Sequence, residues 1–267
     1  MKRYWKLLVL VLIIIVAIVG VFLYRRDSHG KPFKARLASE KVMMTPDWYA
    51  KVRLTANDGA TYEVKNSKGK VIQGKTSTKD GKADVKLNHT GNYTVVAKSD
   101  NGHVNKKLPV KVSNYRANIN KWTNAVGPLK FKITNVEYQK LTKSAKNKPD
   151  NSIIDEAYDQ LNNQYYQVKI NYLVKNDGKK AVNPQYTFWL PESDDGQEFS
   201  VQEPTPDGGA VDTIIGTSAI NPRSSRSGSV TMISNNKFSV KHLKFSIDEV
   251  LGNDGDHIAD GGTAILK

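Results

Sequence analysis

Hydrophobic and polar positions follow two regimes along this chain. From Leu7 to Tyr24 the sequence reads LLVLVLIIIVAIVGVFLY, without one charge. At ~1.5 Å per residue it makes a helix of about 27 Å, close to the ~30 Å hydrocarbon thickness of a bilayer. Beyond Arg26 no second such run occurs, and apolar and polar residues alternate with period two. Alternating segments at Tyr49–Thr55, Thr61–Lys65, Val71–Gly74, Ala83–Leu87, Gly91–Ala97 and Leu108–Val112 are separated by the turn signals Asn57-Asp58-Gly59, Asn66–Gly69 and Lys79–Lys82. The pattern resumes at Leu129–Tyr138, Tyr165–Lys175, Gln185–Leu190, Gln197–Val201, Ala210–Ala219, Ser227–Ile233 and Leu243–Ile247. Period two means strands with one buried and one solvated face, and short strands with frequent Gly/Asn/Asp turns predict sandwiches. One segment breaks the rule. Ile153, Ile154, Ala157, Tyr158 and Leu161 share one face of a short helix, with Asp150 or Ser152 as its cap, and such a helix predicts a lid over one end of a sandwich.

The expected fold class is therefore all-β: two sandwiches after one N-terminal transmembrane helix. The expected layout is a cytoplasmic stub at 1–6, the anchor at 7–24 and a linker at 25–35. A first domain follows at 36–113, then a polar, irregular linker at 114–127 in which Trp122 seals the domain seam. A second domain occupies 128–267, with the helix near 152–162.

The flanks of the apolar run predict a retained anchor rather than a cleaved signal. The run exceeds the 7–15-residue core of a secretory signal and ends in bulky Val21-Phe22-Leu23-Tyr24, with no small-residue cleavage site. Trp5 before it, and Arg25 and Arg26 after it, fit interfacial anchors. The β-rich remainder reads as exported, which places the N terminus in the cytoplasm and the C-terminal domains outside the cell membrane. The chain has no Cys, which excludes a disulfide framework, a thiolate metal site, a catalytic Cys and a lipidated N terminus.

Charge then separates the two halves. Residues 31–116 carry 18 Lys and Arg against 7 Asp and Glu, an excess of +11, whereas residues 117–267 carry 17 against 18. A basic module beside a membrane favours anionic lipids or envelope polymers, at about 1 kcal/mol per nearby Lys or Arg. A solvated sheet surface with Lys guarding strand edges gives the same composition.

Two stretches resemble known families. Asp58-Gly59-Ala60-Thr61, Lys68–Ile72, Asp80-Gly81-Lys82 and the G-x-Y-x-V strand Gly91–Val95 resemble immunoglobulin-like modules of Gram-positive surface proteins, over about 36–113. The string Tyr166–Pro184, the turn Asp195–Phe199, the stretch Pro222 through Gly228 to Val230, and Leu243–Ile247 are similar to an immunoglobulin-like family of unknown function. That family occurs in exported Gram-positive proteins, including extracellular lipoproteins, and the similarity covers about 128–250. The resemblance implies fold and location, and no activity. It also implies that Tyr93 is a core or corner tyrosine.

Candidate chemistry is sparse. Asp254, Asp256 and Asp260, with His257 nearby, supply oxygen ligands for a Ca²⁺ but lack the ordered loop register and its closing Glu. An Asp/Gly-rich turn explains them equally. His29, His89, His103, His242 and His257 show no zinc-site spacing, Ser218 lies outside any nucleophile motif, and Asp194/Asp195 sit on an expected exposed turn. No catalytic residue, metal or cofactor is expected. The expected function is a non-enzymatic, membrane-anchored extracellular binding protein of a Gram-positive envelope. Two alternatives stay open: a structural or regulatory partner of another membrane protein, acting through the transmembrane helix, and binding of an extracellular polyanion such as DNA.

Overall fold

A computed structural model of the protein describes residues 32–144, 157–201 and 203–267. The expected anchor Leu7–Tyr24 and its flanks Trp5, Arg25 and Arg26 lie outside the described residues. Among the described residues, no helix is long and apolar enough to cross a membrane. The described chain is all-β, and it divides into two compact units. One runs to Val42 and resumes over Ala50–Ser113, and the other comprises Met43–Tyr49 and Asn114–Lys267.

The first unit holds β1 (Ala35–Leu37), β2 (Lys41–Met43), β3 (Ala50–Ala56), β4 (Thr61–Asn66), β5 (Val71–Ser77), β6 (Lys82–Leu87), β7 (Gly91–Lys98) and β8 (Asn105–Ser113). They form a three-stranded sheet, β1-β3-β6, and a five-stranded sheet, β2-β8-β7-β4-β5. Alternation decides which face is dry. Val52, Leu54, Val85 and Leu87 of the smaller sheet are buried, as are Tyr62, Val64, Val95, Ala97, Val110 and Val112 of the larger. At the β4–β5 turn, Gly69 takes φ +77°, a left-handed conformation open to glycine, and its N–H donates to the Asn66 carbonyl.

The second unit adds β9 (Tyr115–Trp122), β10 (Leu129–Thr142), β11 (Gln164–Asn176), β12 (Trp189–Glu192), β13 (Ala210–Ile215), β14 (Ser225–Ser234), β15 (Lys244–Leu251) and β16 (His257–Ile265). These again make a five-stranded sheet, β13-β14-β11-β10-β9, and a three-stranded one, β12-β15-β16. The two sheets share one core. Phe131 of β10 stacks on Phe245 of β15 at 5.2 Å with planes 10° apart, and Tyr172 and Trp189 close around them. The Trp189 indole N–H donates to the Tyr172 hydroxyl at 2.8 Å, so both polar tips are satisfied in the dry interior. Gly228 sits opposite Tyr172 in register, and a Cβ there would stand 2.5 Å from the ring. Its lack of a side chain makes room for the tyrosine.

Two expectations are corrected. The stretch 114–127, read as a linker, contains β9, which pairs along β10 as a full member of the second sheet. Its residues are at most half-buried, so its alternation is weak in sequence. Trp122, placed at a seam, ends β9 with the Lys130 ammonium over its ring at 5.2 Å. Met43–Tyr49, from the last residue of β2 to the start of β3, groups with the second unit rather than the first. Trp48 is buried against Tyr138, Tyr166 and Phe238, and its indole donates to the Phe238 carbonyl at 2.7 Å. Its φ of +62° is rare for a bulky residue and persists only where the surroundings fix it. Of the expected helix, residues 157–160 are helical and the segment before them lies outside the described residues. Ala157, Tyr158 and Leu161 are buried in a small cluster with Tyr165, Ala210 and Ile233.

Candidate functional site

The strongest concave feature of the first unit lies on the solvent face of its five-stranded sheet. Period two puts Glu63 and Lys65 of β4, Thr94, Val96 and Lys98 of β7, and Lys107, Pro109 and Lys111 of β8 on that face. Cross-strand register then sets them side by side: Glu63 pairs with Val96 and Val96 with Lys107, while Lys65 pairs with Thr94 and Thr94 with Pro109. Lys111 lies beside the β2 edge, where its backbone N–H donates to the Glu40 carbonyl at 2.8 Å. With Lys41 the face forms a groove of about 770 Å³.

Five lysines and two glutamates line this groove. Glu63 is mostly covered and holds two of the lysines, Lys65 at 3.2 Å and Lys98 at 3.6 Å. The hydrogen bond from Lys65 keeps the Glu63 carboxyl below its ordinary value, against a smaller desolvation effect in the other direction. Lys41, Lys107 and Lys111 have no carboxylate partner among the described residues. Lys107 stands opposite Val96 across the strands, and Val96 is buried although it points away from the core.

The outer face of the three-stranded sheet is also basic. Arg36, Lys51, Arg53, Lys82 and Lys86 lie on β1, β3 and β6 around a single carboxylate, Asp84, which binds Lys51 at 2.7 Å and Arg53 at 2.9 Å. Those bonds, from Arg53 first and Lys51 second, lower the Asp84 carboxyl to about 2.

The second unit offers a different kind of cavity. A cleft of about 260 Å³ is lined by Pro184, Phe188, Trp189, Leu190, Val211 and Ile215 among others. The Thr213 hydroxyl in its wall is buried without a hydrogen-bond partner among the described residues, and Phe188 and Ile214 nearby are more than half exposed.

The residues singled out in the sequence are scattered. Asp256 pairs with Lys180 at 2.9 Å, Asp260 meets the His257 ring at 3.2 Å, and Asp254 is exposed. Among the described residues no three His, Cys, Asp or Glu side chains gather where they could hold a metal ion. Asp194 lies, as expected, on an exposed turn. Its carboxylate is largely covered and accepts from the Lys241 backbone at 2.5 Å, the Ser239 hydroxyl at 3.0 Å and the His242 ring at 2.7 Å. Burial pushes its carboxyl up, but the bonds from His242, Ser239 and the backbone outweigh burial and leave it lowered. Ser239 donates to the carboxylate and not to the imidazole, so the trio caps a turn and activates no nucleophile. Tyr93 is buried, and its hydroxyl donates to the His89 carbonyl, four residues upstream, at 2.9 Å.

No family model matches the chain, and no curated protein matches it. Among solved structures, it is similar to a marsupial T cell receptor at 9% identity, over 86% of this chain and 98% of that one, with a TM-score of 0.23.

The groove itself is the site that sequence reasoning missed. Its lysines are spread over 71 positions, from Lys41 to Lys111, and only strand register brings them together. A local signal exists in the alternate placement of Glu63 and Lys65, and of Lys107, Pro109 and Lys111, opposite the buried set.

Proposed function

We propose that this protein is a non-enzymatic binding protein of a Gram-positive cell envelope. It is held by the helix Leu7–Tyr24 with its N terminus in the cytoplasm, and it presents two immunoglobulin-like sandwiches outside. The observation that carries the binding role is the asymmetry of charge: the first unit gathers lysines on both outward sheet faces, while the second is close to neutral. In that arrangement the anchor fixes the address, the first unit lies against anionic envelope polymer, and the second unit is free for a partner protein. The immunoglobulin-like reading is supported by the five-plus-three division of strands and by the Tyr93 hydroxyl bonding back to the chain upstream, as a corner tyrosine does. The anchor is supported by the length, flanks and bulky end of the apolar run.

The test uses the full chain in nanodiscs of zwitterionic lipid, incubated at low salt with intact Gram-positive walls and with walls stripped of their anionic polymers. Retention on intact walls and loss on stripped ones is the expected result. Equal retention on both, or none on either, overturns the proposal.

A further inference from the structure

We infer that the groove on the five-stranded sheet of the first unit takes one extended strand of a phosphodiester-linked polymer. The inference rests on the reading of the first unit as polyanion-binding and names where and what it binds. Four features select this ligand.

The first is charge. Lys41, Lys107 and Lys111 lack carboxylate partners among the described residues, so the groove presents positive charge that its own acids leave uncompensated. Glu63 does not cancel the site. Sitting between Lys65 and Lys98, it neutralises part of their charge and holds both ammonium groups over the groove floor.

The second is the kind of cation. Every basic residue lining the groove is lysine, and none is arginine. The guanidinium fork matches carboxylate and phosphate alike in bidentate fashion, whereas an ammonium is a compact point charge that meets single oxygens without a fixed fork. A chain of phosphodiesters, with one negative charge per link spaced along an extended backbone, fits such a row of point charges.

The third is the lack of a stacking platform. Tyr93 is the one aromatic residue lining the groove, and it is buried with its hydroxyl engaged. Single-stranded nucleic acids draw about 1–3 kcal/mol per base from stacking on exposed aromatic faces, a contribution that is missing here. Asn92, Asn105, Ser67 and Thr94 instead line the groove with small polar groups suited to hydroxyls between phosphates.

The fourth is extent. Lys107 and Lys111 lie four residues apart on β8, about 13 Å at the ~3.3 Å rise of a strand, and Lys65 and Lys98 lie two strands and one strand away. A single small anion cannot touch this row, and a chain can.

The experiment measures binding of a lipid-free poly(glycerol phosphate) oligomer to the full chain in zwitterionic nanodiscs. Two triple variants that lose the same charge are compared, each checked for an unchanged melting temperature. One is Lys41→Gln/Lys107→Gln/Lys111→Gln in the groove. The other is Lys51→Gln/Lys82→Gln/Lys86→Gln on the opposite sheet. The groove variant is expected to lose affinity about tenfold or more, with the control changing much less. Equal losses in both overturn the groove while leaving diffuse polyanion binding intact. Absence of binding by the unaltered chain overturns both. Polyglutamate bound as tightly as the phosphate polymer overturns the choice of phosphodiester. Tighter binding of single-stranded DNA overturns the polyol phosphate in favour of nucleic acid.

Discussion

In the second unit, Phe131, Tyr172, Trp189 and Phe245 form one network of ring contacts, tied at its polar tips by the Trp189–Tyr172 hydrogen bond. In the first unit, the corresponding dry faces are mainly aliphatic, with Val52, Leu54, Val64, Val85, Leu87, Val95 and Val110 beside Tyr62 and Tyr93, and its solvent faces carry lysine. The same count of five and three strands is thus held together in two ways. Aliphatic residues need little geometric matching beyond volume, whereas ring pairs and buried hydroxyls fix one arrangement and add about 0.5–1.5 kcal/mol per pair beyond area. The lesson is a division of labour. Specificity of structure is concentrated inside the second unit, and the charge proposed to bind a partner is displayed on the outside of the first.

The most damaging test of that division is Trp48→Ala. By sequence this residue stands between two strands of the first unit, but it is buried in the second. The substitution should cost the second unit about 3–5 kcal/mol, as for other buried aromatic truncations, and lower its denaturation midpoint, while strands β1 to β8 keep their amide protection. Loss of protection in the first unit alone would place Trp48 wrongly.

Alkaline pH should separate the units next. Burial raises Tyr138 and Tyr165 of the second unit to about 12, and raises Tyr172 as well, whereas Tyr93 of the first is raised less strongly. A folded-state value above the unfolded one, near 10, means stability that is complete below pH 10 and lost as pH rises towards 12. Tyr138 alone accounts for about 2–3 kcal/mol. Tyrosinate absorbance in an alkaline titration should therefore appear late and cooperatively with unfolding of the second unit.

Gly228→Ala probes the same network more gently. Its Cβ would collide with the Tyr172 ring, and overpacking of this kind costs about 1–3 kcal/mol, read as a shift in thermal midpoint. A neutral result would show that the ring yields freely and that the network is looser than its contacts imply.

The smallest effect is expected on the first unit. Asp84 is lowered to about 2 by Arg53 and Lys51, so its contribution is present above its ordinary value, near 4, and fades as pH falls towards 2. Asp84 is solvent-exposed, so Asp84→Asn should shift the acid limb of the unfolding curve only slightly, and less in high salt.

Much of the fold was legible in the sequence because period two was strong where one face is dry. Tyr165–Lys175 became β11 and Gly91–Ala97 became β7 almost at their expected bounds. β9 was hidden because Tyr115, Ala117 and Ile119 alternate on a strand that buries none of its side chains deeply. Asn176, the last residue of β11, is a polar side chain that is fully buried. Its amide donates to the Lys180 and Ile220 carbonyls, both at 2.8 Å, and accepts from the Gly178 N–H. A side chain whose partners lie up to 44 residues away leaves no local pattern. The groove was illegible for a related reason. Lysine on a solvent face is ordinary at each position, and only the pairing of β4, β7 and β8 turns single charges into a row.

The most direct test is the salt dependence of binding to that row. The full chain in zwitterionic nanodiscs should bind poly(glycerol phosphate) with an affinity whose logarithm falls linearly with the logarithm of salt concentration. The slope should reflect release of several counterions, as it does when lysines neutralise a phosphate polymer. Binding that is unchanged by salt, or no binding at the lowest salt, would contradict the account.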